Sequence, residues 1–217
     1  MYKKNLLLCI FFIFATISSA QGVDVTFNGP VMIGEVPFYI GFGSGKLFIN
    51  GETISDIMGN DNNYVIQNPY YITMGMSGPV NKNIHAGAEI SFFSQSAKPR
   101  DETDPTYSHE LLSFILSVKY FPEETGYFTK FGLGWCQLDS VEDLSDPNDT
   151  DIHETYDGYT ALIGFGYEVV GPKFHVGINL EYSRQTYNDS YDTSGTLIDN
   201  SNIYSEMVTL SIRLGWY

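Results

Sequence analysis

Residues 156–182 alternate between apolar or aromatic side chains and small or polar ones, and a short Gly-Pro turn separates two such runs. Successive side chains of a β-strand point to opposite faces, so a period of two predicts strands with two different faces. Two strands joined by so short a turn form an antiparallel hairpin. A continuous apolar face must be covered, either by a protein core or by lipid. That face carries Tyr159, Ala161, Ile163, Phe165, Tyr167, Phe174, Val176, Ile178, Leu180 and Tyr182.

The composition of the opposite face favours lipid. It carries mainly Gly, Ser, Thr and Asn with an occasional charge, whereas a strand face turned to water usually shows longer polar side chains. An apolar outer face that ends in aromatic residues, around a polar interior, is typical of a barrel that stands in a bilayer. The alternative is a soluble lipocalin-like barrel or sandwich, with the large side chains inside.

Residues 1–20 have the three-part layout of a secretory signal peptide. Two lysines are followed by an unbroken apolar run at residues 6–15 and by small residues before Gln21. The run is too short for a membrane-spanning helix, which needs about 20 apolar residues. We therefore predict that the chain is exported, with a signal peptide at 1–20, a periplasmic segment at 21–35 and a barrel domain at 36–217.

Charge and cysteine content exclude several classes of function. Removal of the signal peptide leaves 9 basic and 26 acidic residues, a net charge of −17. Because phosphate binding requires clustered Lys and Arg, we expect no nucleic-acid partner. Cys136 is the one cysteine of the predicted mature chain, so neither an internal disulfide nor a cysteine-based metal site is expected. We predict no metal and no cofactor.

Eight segments show the same alternation, and each is close to the roughly 9–11 residues that a tilted strand needs to cross a bilayer. The connections between them are long and short in strict turn, which places all short turns at one end of an up-and-down barrel. Bacterial outer-membrane barrels have their short turns in the periplasm. We predict an all-β fold: an eight-stranded antiparallel transmembrane β-barrel with long extracellular loops. The segments are 36–45, 70–77, 84–93, 109–120, 127–137, the two strands of the 156–182 hairpin, and 204–217.

This pattern over residues 36–217 resembles the small outer-membrane β-barrel superfamily of OmpA and OmpX. The resemblance implies a monomer in the bacterial outer membrane, in contact with lipid and lipopolysaccharide, and it brings no catalytic signature. It also implies that an aromatic-ended last strand is recognised by the barrel assembly machinery. Tyr217 departs from the pattern, because it falls one residue out of phase. The residues that resemble this assembly signal are Leu210, Ile212, Leu214, Trp216 and Tyr217.

Several charged side chains fall on the predicted inner face. Counted from the short turns, Glu89, Lys130 and Arg213 should lie at similar heights in a lumen that side chains can fill. A lone buried charge costs several kcal/mol, so we predict an ion-pair network there; an ion path is the alternative. The predicted lumen charge network comprises Glu89, Lys119, Lys130, Glu168, His175, Glu181 and Arg213.

The long connections are mostly acidic, and we predict that they serve a structural or surface-interaction role outside the cell. Calcium binding to the acidic residues 139–154 is conceivable because hard cations take oxygen ligands, but the spacing matches no EF-hand, so a solvated surface is favoured. His109 and His153 are the histidines that a lipid A-modifying enzyme could use. Because adjacent strand residues point to opposite faces, Ser108, His109 and Glu110 do not form a triad. We predict no enzyme; a narrow channel and a lipid-modifying enzyme are the alternatives.

Overall fold

The computed structural model describes residues 38–57, 64–100, 105–122, 126–143, 152–170, 174–192, 194–199 and 203–216. The chain divides into two units, Met1–Val36 and Pro37–Tyr217. The predicted signal peptide and the segment 21–35 lie outside the described residues, as does Tyr217. The description that follows therefore concerns the second unit.

Eight long strands form the described fold, and each alternates as the sequence predicts. They are β1 Phe38–Ile49, β2 Tyr70–Asn81, β3 Ile84–Pro99, β4 Thr106–Tyr120, β5 Tyr127–Asp143, β6 Ile152–Val170, β7 Phe174–Tyr191 and β8 Ile203–Trp216. The connections contain the short strands Glu52–Thr53, Tyr64–Ile66 and Leu197–Asp199 and the helical turn Ile54–Ile57. No helix in the described part of the chain is long and apolar enough to cross a membrane.

The strands close into an antiparallel barrel. Each pairs with its neighbours in sequence, and β1 also pairs with β8. One circuit through the residue pairs starts at Gly177 of β7 and returns to β7 at Tyr187, a shift of 187 − 177 = 10 residues. Eight strands with this stagger tilt by about 40° and enclose a lumen that side chains can fill.

The bulky face points outward, which confirms the fold prediction. In β7, Phe174 and Leu180 are 58% and 52% exposed, whereas the residues that follow them, His175 and Glu181, are 4% and 2% exposed. The same alternation runs through the other strands and gives an outer apolar band. Such a band suits a bilayer, whose hydrocarbon takes the place of a protein core. The band ends, on the side of the long connections, at Tyr70, Phe92, Leu112, Trp135, Tyr159, Tyr182 and Val208.

Three predicted loops are shorter than expected, because the strands continue above the apolar band. β3 extends to Pro99, β5 to Asp143 and β7 to Tyr191, into residues 94–108, 138–155 and 184–203, for which the sequence predicts loops. Above the band, polar residues occupy the outward positions too. The contrast between the two faces is lost there, although the backbone hydrogen bonds continue. The order of long and short connections is as predicted.

Candidate functional site

Four charged side chains meet in the middle of the lumen, and we call them the central ion network: Glu89, Lys130, Glu181 and Arg213. The Lys130 ammonium forms ion pairs with Glu89 and, at 2.8 Å, with Glu181. Arg213 Nη2 lies 2.5 Å from Glu181 Oε1 and 3.4 Å from Glu89 Oε2. All four residues are at most 2% exposed. Two cations and two carboxylates thus alternate, and they connect β3, β5, β7 and β8 across the lumen.

Two tyrosines complete the hydrogen bonding of the carboxylates. The Tyr39 hydroxyl donates to Glu89 Oε2 at 2.5 Å, and the Tyr71 hydroxyl donates to Glu181 Oε2 at 3.2 Å. Charged groups inside a protein need such partners for their remaining lone pairs. The sequence pattern placed Tyr39 on the inner face but gave no sign of which group its hydroxyl would reach.

A second ion pair lies nearer to the short turns. Lys119 Nζ is 2.5 Å from Glu168 Oε1, and both side chains are buried. The same ammonium lies 4.9 Å from the ring centre of Phe128 and 5.3 Å from that of Tyr39. The guanidinium carbon of Arg213 lies 4.7 Å from the same Tyr39 ring centre, so this one ring contacts a cation of each group.

Glycines opposite the charged residues provide the space that these side chains occupy. A Cβ on Gly75 would come within 2.8 Å of Glu89 Cβ, and one on Gly177 within 2.8 Å of Glu168 Cγ. Both distances are too short for two carbon atoms that are not bonded to each other. His175, the remaining member of the predicted lumen charge network, is also buried in the lumen. It packs over Gly215, where an added Cβ would overlap the imidazole ring. The predicted residues therefore fall into two ion-paired groups, with His175 beside Gly215.

Above the central ion network, an apolar layer fills the lumen. The predicted polar interior did not include such a layer. We call it the outer apolar cluster. It contains Cys136, which is fully buried and fills space between larger side chains. Parity places these residues on the inner face, but glycine and serine dominate that face elsewhere, so the sequence predicts a polar interior. The cluster comprises Leu47, Tyr71, Phe93, Leu111, Cys136, Leu138, Tyr187 and Met207.

His109, the first candidate histidine, lies in β4. It faces inward on β4 above the apolar band, and burial lowers the pKa of its imidazole to about 4. Its Nδ1 atom is buried, and no described residue forms a hydrogen bond with that atom. In a catalytic pair, an acid or serine would hydrogen-bond such an imidazole.

The acidic residues 139–154 are only partly described, because Asp146, Asp149 and Asp151 lie outside the described residues. Asp139 accepts a hydrogen bond from the Thr155 hydroxyl at 2.8 Å, and Glu142 accepts one from the Tyr107 hydroxyl at 2.9 Å. Within the described ranges, no group of three His, Cys, Asp or Glu side chains could hold a metal ion.

The outer rim contains a carboxyl group that the fold disfavours in its ionised form. Burial raises the pKa of Asp157, and the neighbouring Asp139 and Asp189 raise it further. The pKa of Asp157 is thus higher in the folded than in the unfolded protein. The contribution of Asp157 to stability is present at a pH below its unfolded-state pKa, and it is lost as the pH rises through its folded-state pKa.

Asp157→Asn is therefore expected to raise the urea midpoint of unfolding at pH 7, and the gain should vanish at pH 3. Asp192 is the matched control, because hydrogen bonds from the Ser194 hydroxyl and the Thr196 backbone lower its pKa. Asp192→Asn should thus lower the midpoint at pH 7. Equal shifts for the two variants would contradict this assignment.

The last strand closes the barrel beside the first. Trp216 pairs with Phe38 across β8 and β1, and the two ring centres are 5.0 Å apart. The described members of the predicted assembly signal all point outward: Leu210, Ile212, Leu214 and Trp216. Recognition of these residues by the assembly machinery stays a prediction.

Comparison with known proteins identifies the fold. No family model matches the sequence, and no curated protein matches it either. Among solved structures, the attachment invasion locus protein Ail of Yersinia pestis in complex with the heparin analogue sucrose octasulfate matches with a TM-score of 0.56 at 10% identity, over 85% of this chain and 100% of that one. Another Ail structure gives a TM-score of 0.52 at 10% identity, over 84% of this chain and 99% of that one.

The chain has the fold of a small bacterial outer-membrane β-barrel. Neisserial surface protein A is also similar, with a TM-score of 0.47 at 14% identity over 82% of this chain and 94% of that one. The two Ail structures confirm the barrel fold that the sequence predicts. At these identities the similarity shows the fold alone, so the role of this outer-membrane barrel must be argued from its own residues.

Proposed function

We propose that this outer-membrane barrel is a sealed, non-enzymatic scaffold that presents acidic loops at the cell surface. The observation that carries the proposal is the filled lumen. The Lys119–Glu168 pair, the central ion network and the outer apolar cluster follow one another from the short turns to the long connections. Water and solutes would have to displace all three layers in order to pass.

The central ion network opposes opening for an electrostatic reason. Separation of Lys130 from its two carboxylates would leave charges in a medium of low dielectric, where an unpaired ion costs several kcal/mol. Tyr39 and Tyr71 add hydrogen bonds to the same carboxylates. A continuous aqueous path would therefore require this network to be broken and its charged groups to be hydrated.

The charge of the long connections supports an interaction role outside the barrel. The long connections and the outer strand ends beside them, residues 46–69, 94–108, 138–155 and 184–203, contain 16 acidic and 4 basic residues, a net charge of 4 − 16 = −12. Such a surface attracts basic partners and repels acidic ones. The long connections are where related folds vary and where an external partner would make contact.

Electrical recording tests the sealed lumen. The refolded protein in a planar bilayer is expected to show no stable conductance steps, because side chains block the lumen at three levels. An unrelated large porin, reconstituted in the same way, serves as the positive control. Reproducible steps from the wild-type chain would contradict the sealed scaffold and favour the channel.

A further inference from the structure

One row of paired residues crosses five strands at the outer end of the barrel. Ile66 of the short strand Tyr64–Ile66 pairs with Ala97 of β3, and Ala97 pairs with Tyr107 of β4. Tyr107 pairs with Glu142 of β5, which in turn pairs with Ile152 of β6. These residues have the inward parity of the outer apolar cluster, so the row lies on the inner face of the sheet, at the mouth of the barrel.

The same face continues down β6 from this row toward the outer apolar cluster. Glu154 and Tyr156 are the next two inward residues, and Tyr156 packs against the cluster. We call this surface the vestibule face. It comprises Ile66, Tyr107, Glu142, Ile152, Glu154 and Tyr156.

Tyrosine hydroxyls hold both carboxylates of the vestibule face. The Tyr107 hydroxyl donates to Glu142 Oε1 at 2.9 Å, and the Tyr156 hydroxyl donates to Glu154 Oε2. The two glutamates are diagonal neighbours on β5 and β6, because Glu142 pairs with Ile152. Such neighbours are roughly 7–8 Å apart. One positive group of a ligand could therefore contact both carboxylates.

The negative charge of this pair is not neutralised from within the described parts of the chain. No described Lys or Arg forms an ion pair with Glu142 or Glu154. Lys98 of β3 points to the opposite face, since it follows the inward Ala97. His109 lies on the inner face, but its pKa of about 4 leaves it neutral at pH 7. The vestibule face is therefore anionic.

Apolar surface lies beside the two carboxylates, although this region stands above the apolar band. Ile66 is 37% exposed and Ile152 is 48% exposed. The rings of Tyr107 and Tyr156 lie between or below them on the same face. Amphipathic rings and exposed aliphatic side chains around a polar pair are typical of a surface that contacts another protein.

We propose that the vestibule face binds a basic segment of an external protein, with an Arg or Lys side chain between Glu142 and Glu154 and an apolar side chain against Ile152. Arginine suits the carboxylates because its planar donors match two oxygens, and the tyrosine rings favour a cation beside them. The proposal rests on the proposed surface-interaction role, for which it names the partner class and the place of contact.

Fluorescence anisotropy of a short labelled peptide, in which two arginines flank a valine, tests the site. The barrel is refolded in nanodiscs of zwitterionic phosphatidylcholine, so the lipid adds no net charge. The wild-type chain should bind this peptide at least about tenfold more tightly than the same peptide with the neutral isostere citrulline. Glu142→Gln with Glu154→Gln should lose about that factor, since a charge-assisted contact is worth roughly a tenfold change in affinity.

The matched control removes the same charge from two other exposed positions. Glu52 and Glu110 are both exposed, and Glu52→Gln with Glu110→Gln should bind the arginine peptide within about twofold of the wild type. An equal loss in both double variants would mean diffuse attraction by the acidic surface and would overturn the site. Equal binding of the citrulline peptide by the wild type would also overturn it. Heat-modifiability on a gel verifies that every variant is folded.

A second comparison tests the apolar contact. Replacement of the peptide valine by glycine should weaken binding to the wild type by about threefold or more, because buried apolar surface is lost. In Ile152→Ser this difference should disappear; its persistence would contradict the contact. The conductance recording judges the sealed lumen separately. A silent barrel that does not bind the arginine peptide would overturn the vestibule site alone, and a conducting barrel that binds it would overturn the sealed lumen alone.

Discussion

Replacement of Lys130 by methionine is expected to lower the free energy of unfolding by about 3–5 kcal/mol, the usual effect of removing one partner from a buried ion pair. Lys130 is fully buried and is bound to both Glu89 and Glu181. Methionine retains most of the side-chain volume, so the loss reflects two carboxylates left without one of their cations. Urea unfolding in lipid vesicles, followed by tryptophan fluorescence, measures the change.

Two comparisons separate this electrostatic effect from a general loss of packing. Lys98→Met removes a charge from an exposed position and should change the stability by less than about 0.5 kcal/mol. Addition of Glu89→Gln to Lys130→Met should recover part of the loss of stability, because the effects of substitutions within one network are not additive. A double variant whose loss equals the sum of the single losses would contradict the central ion network as described.

Leu111→Ala is expected to lower the stability by about 2–5 kcal/mol, the range for a buried leucine that leaves a cavity. Leu111 is 1% exposed within the outer apolar cluster. Leu197, 48% exposed in the connection before β8, is the matched control, and Leu197→Ala should have little effect. Urea unfolding again gives the value. Similar losses for both leucines would mean that the cluster is not a packed layer.

The sequence was sufficient to predict the strands and their faces because lipid and lumen impose opposite demands on alternate residues. In β7, the change from Phe174 to His175 and from Leu180 to Glu181 makes the period of two plain. Above the band this contrast disappears: outward Arg184 and Thr186 are as polar as inward Gln185. The pattern therefore ended at Tyr182, although the paired backbone continues to Tyr191.

The contents of the lumen were only partly predictable. Parity placed Glu89, Lys130 and Arg213 on the inner face, but which carboxylate meets which cation depends on the stagger of ten residues around the barrel. That stagger also brings Tyr71 of β2 to Glu181 of β7, strands that are not neighbours. Phe93 and Leu111 were on the inner face by the same parity, yet a polar interior was expected, because glycine and serine dominate the rest of that face.

Fluorescence quenching by brominated lipids tests the central claim most directly, because the two tryptophans of the chain, Trp135 and Trp216, both lie on the outward face. In vesicles whose acyl chains carry bromine, both fluorophores should be strongly quenched, and aqueous iodide should have little effect. A chain that stays soluble without detergent, with tryptophans insensitive to bromine, would show that the bulky face is turned inward and would contradict the account.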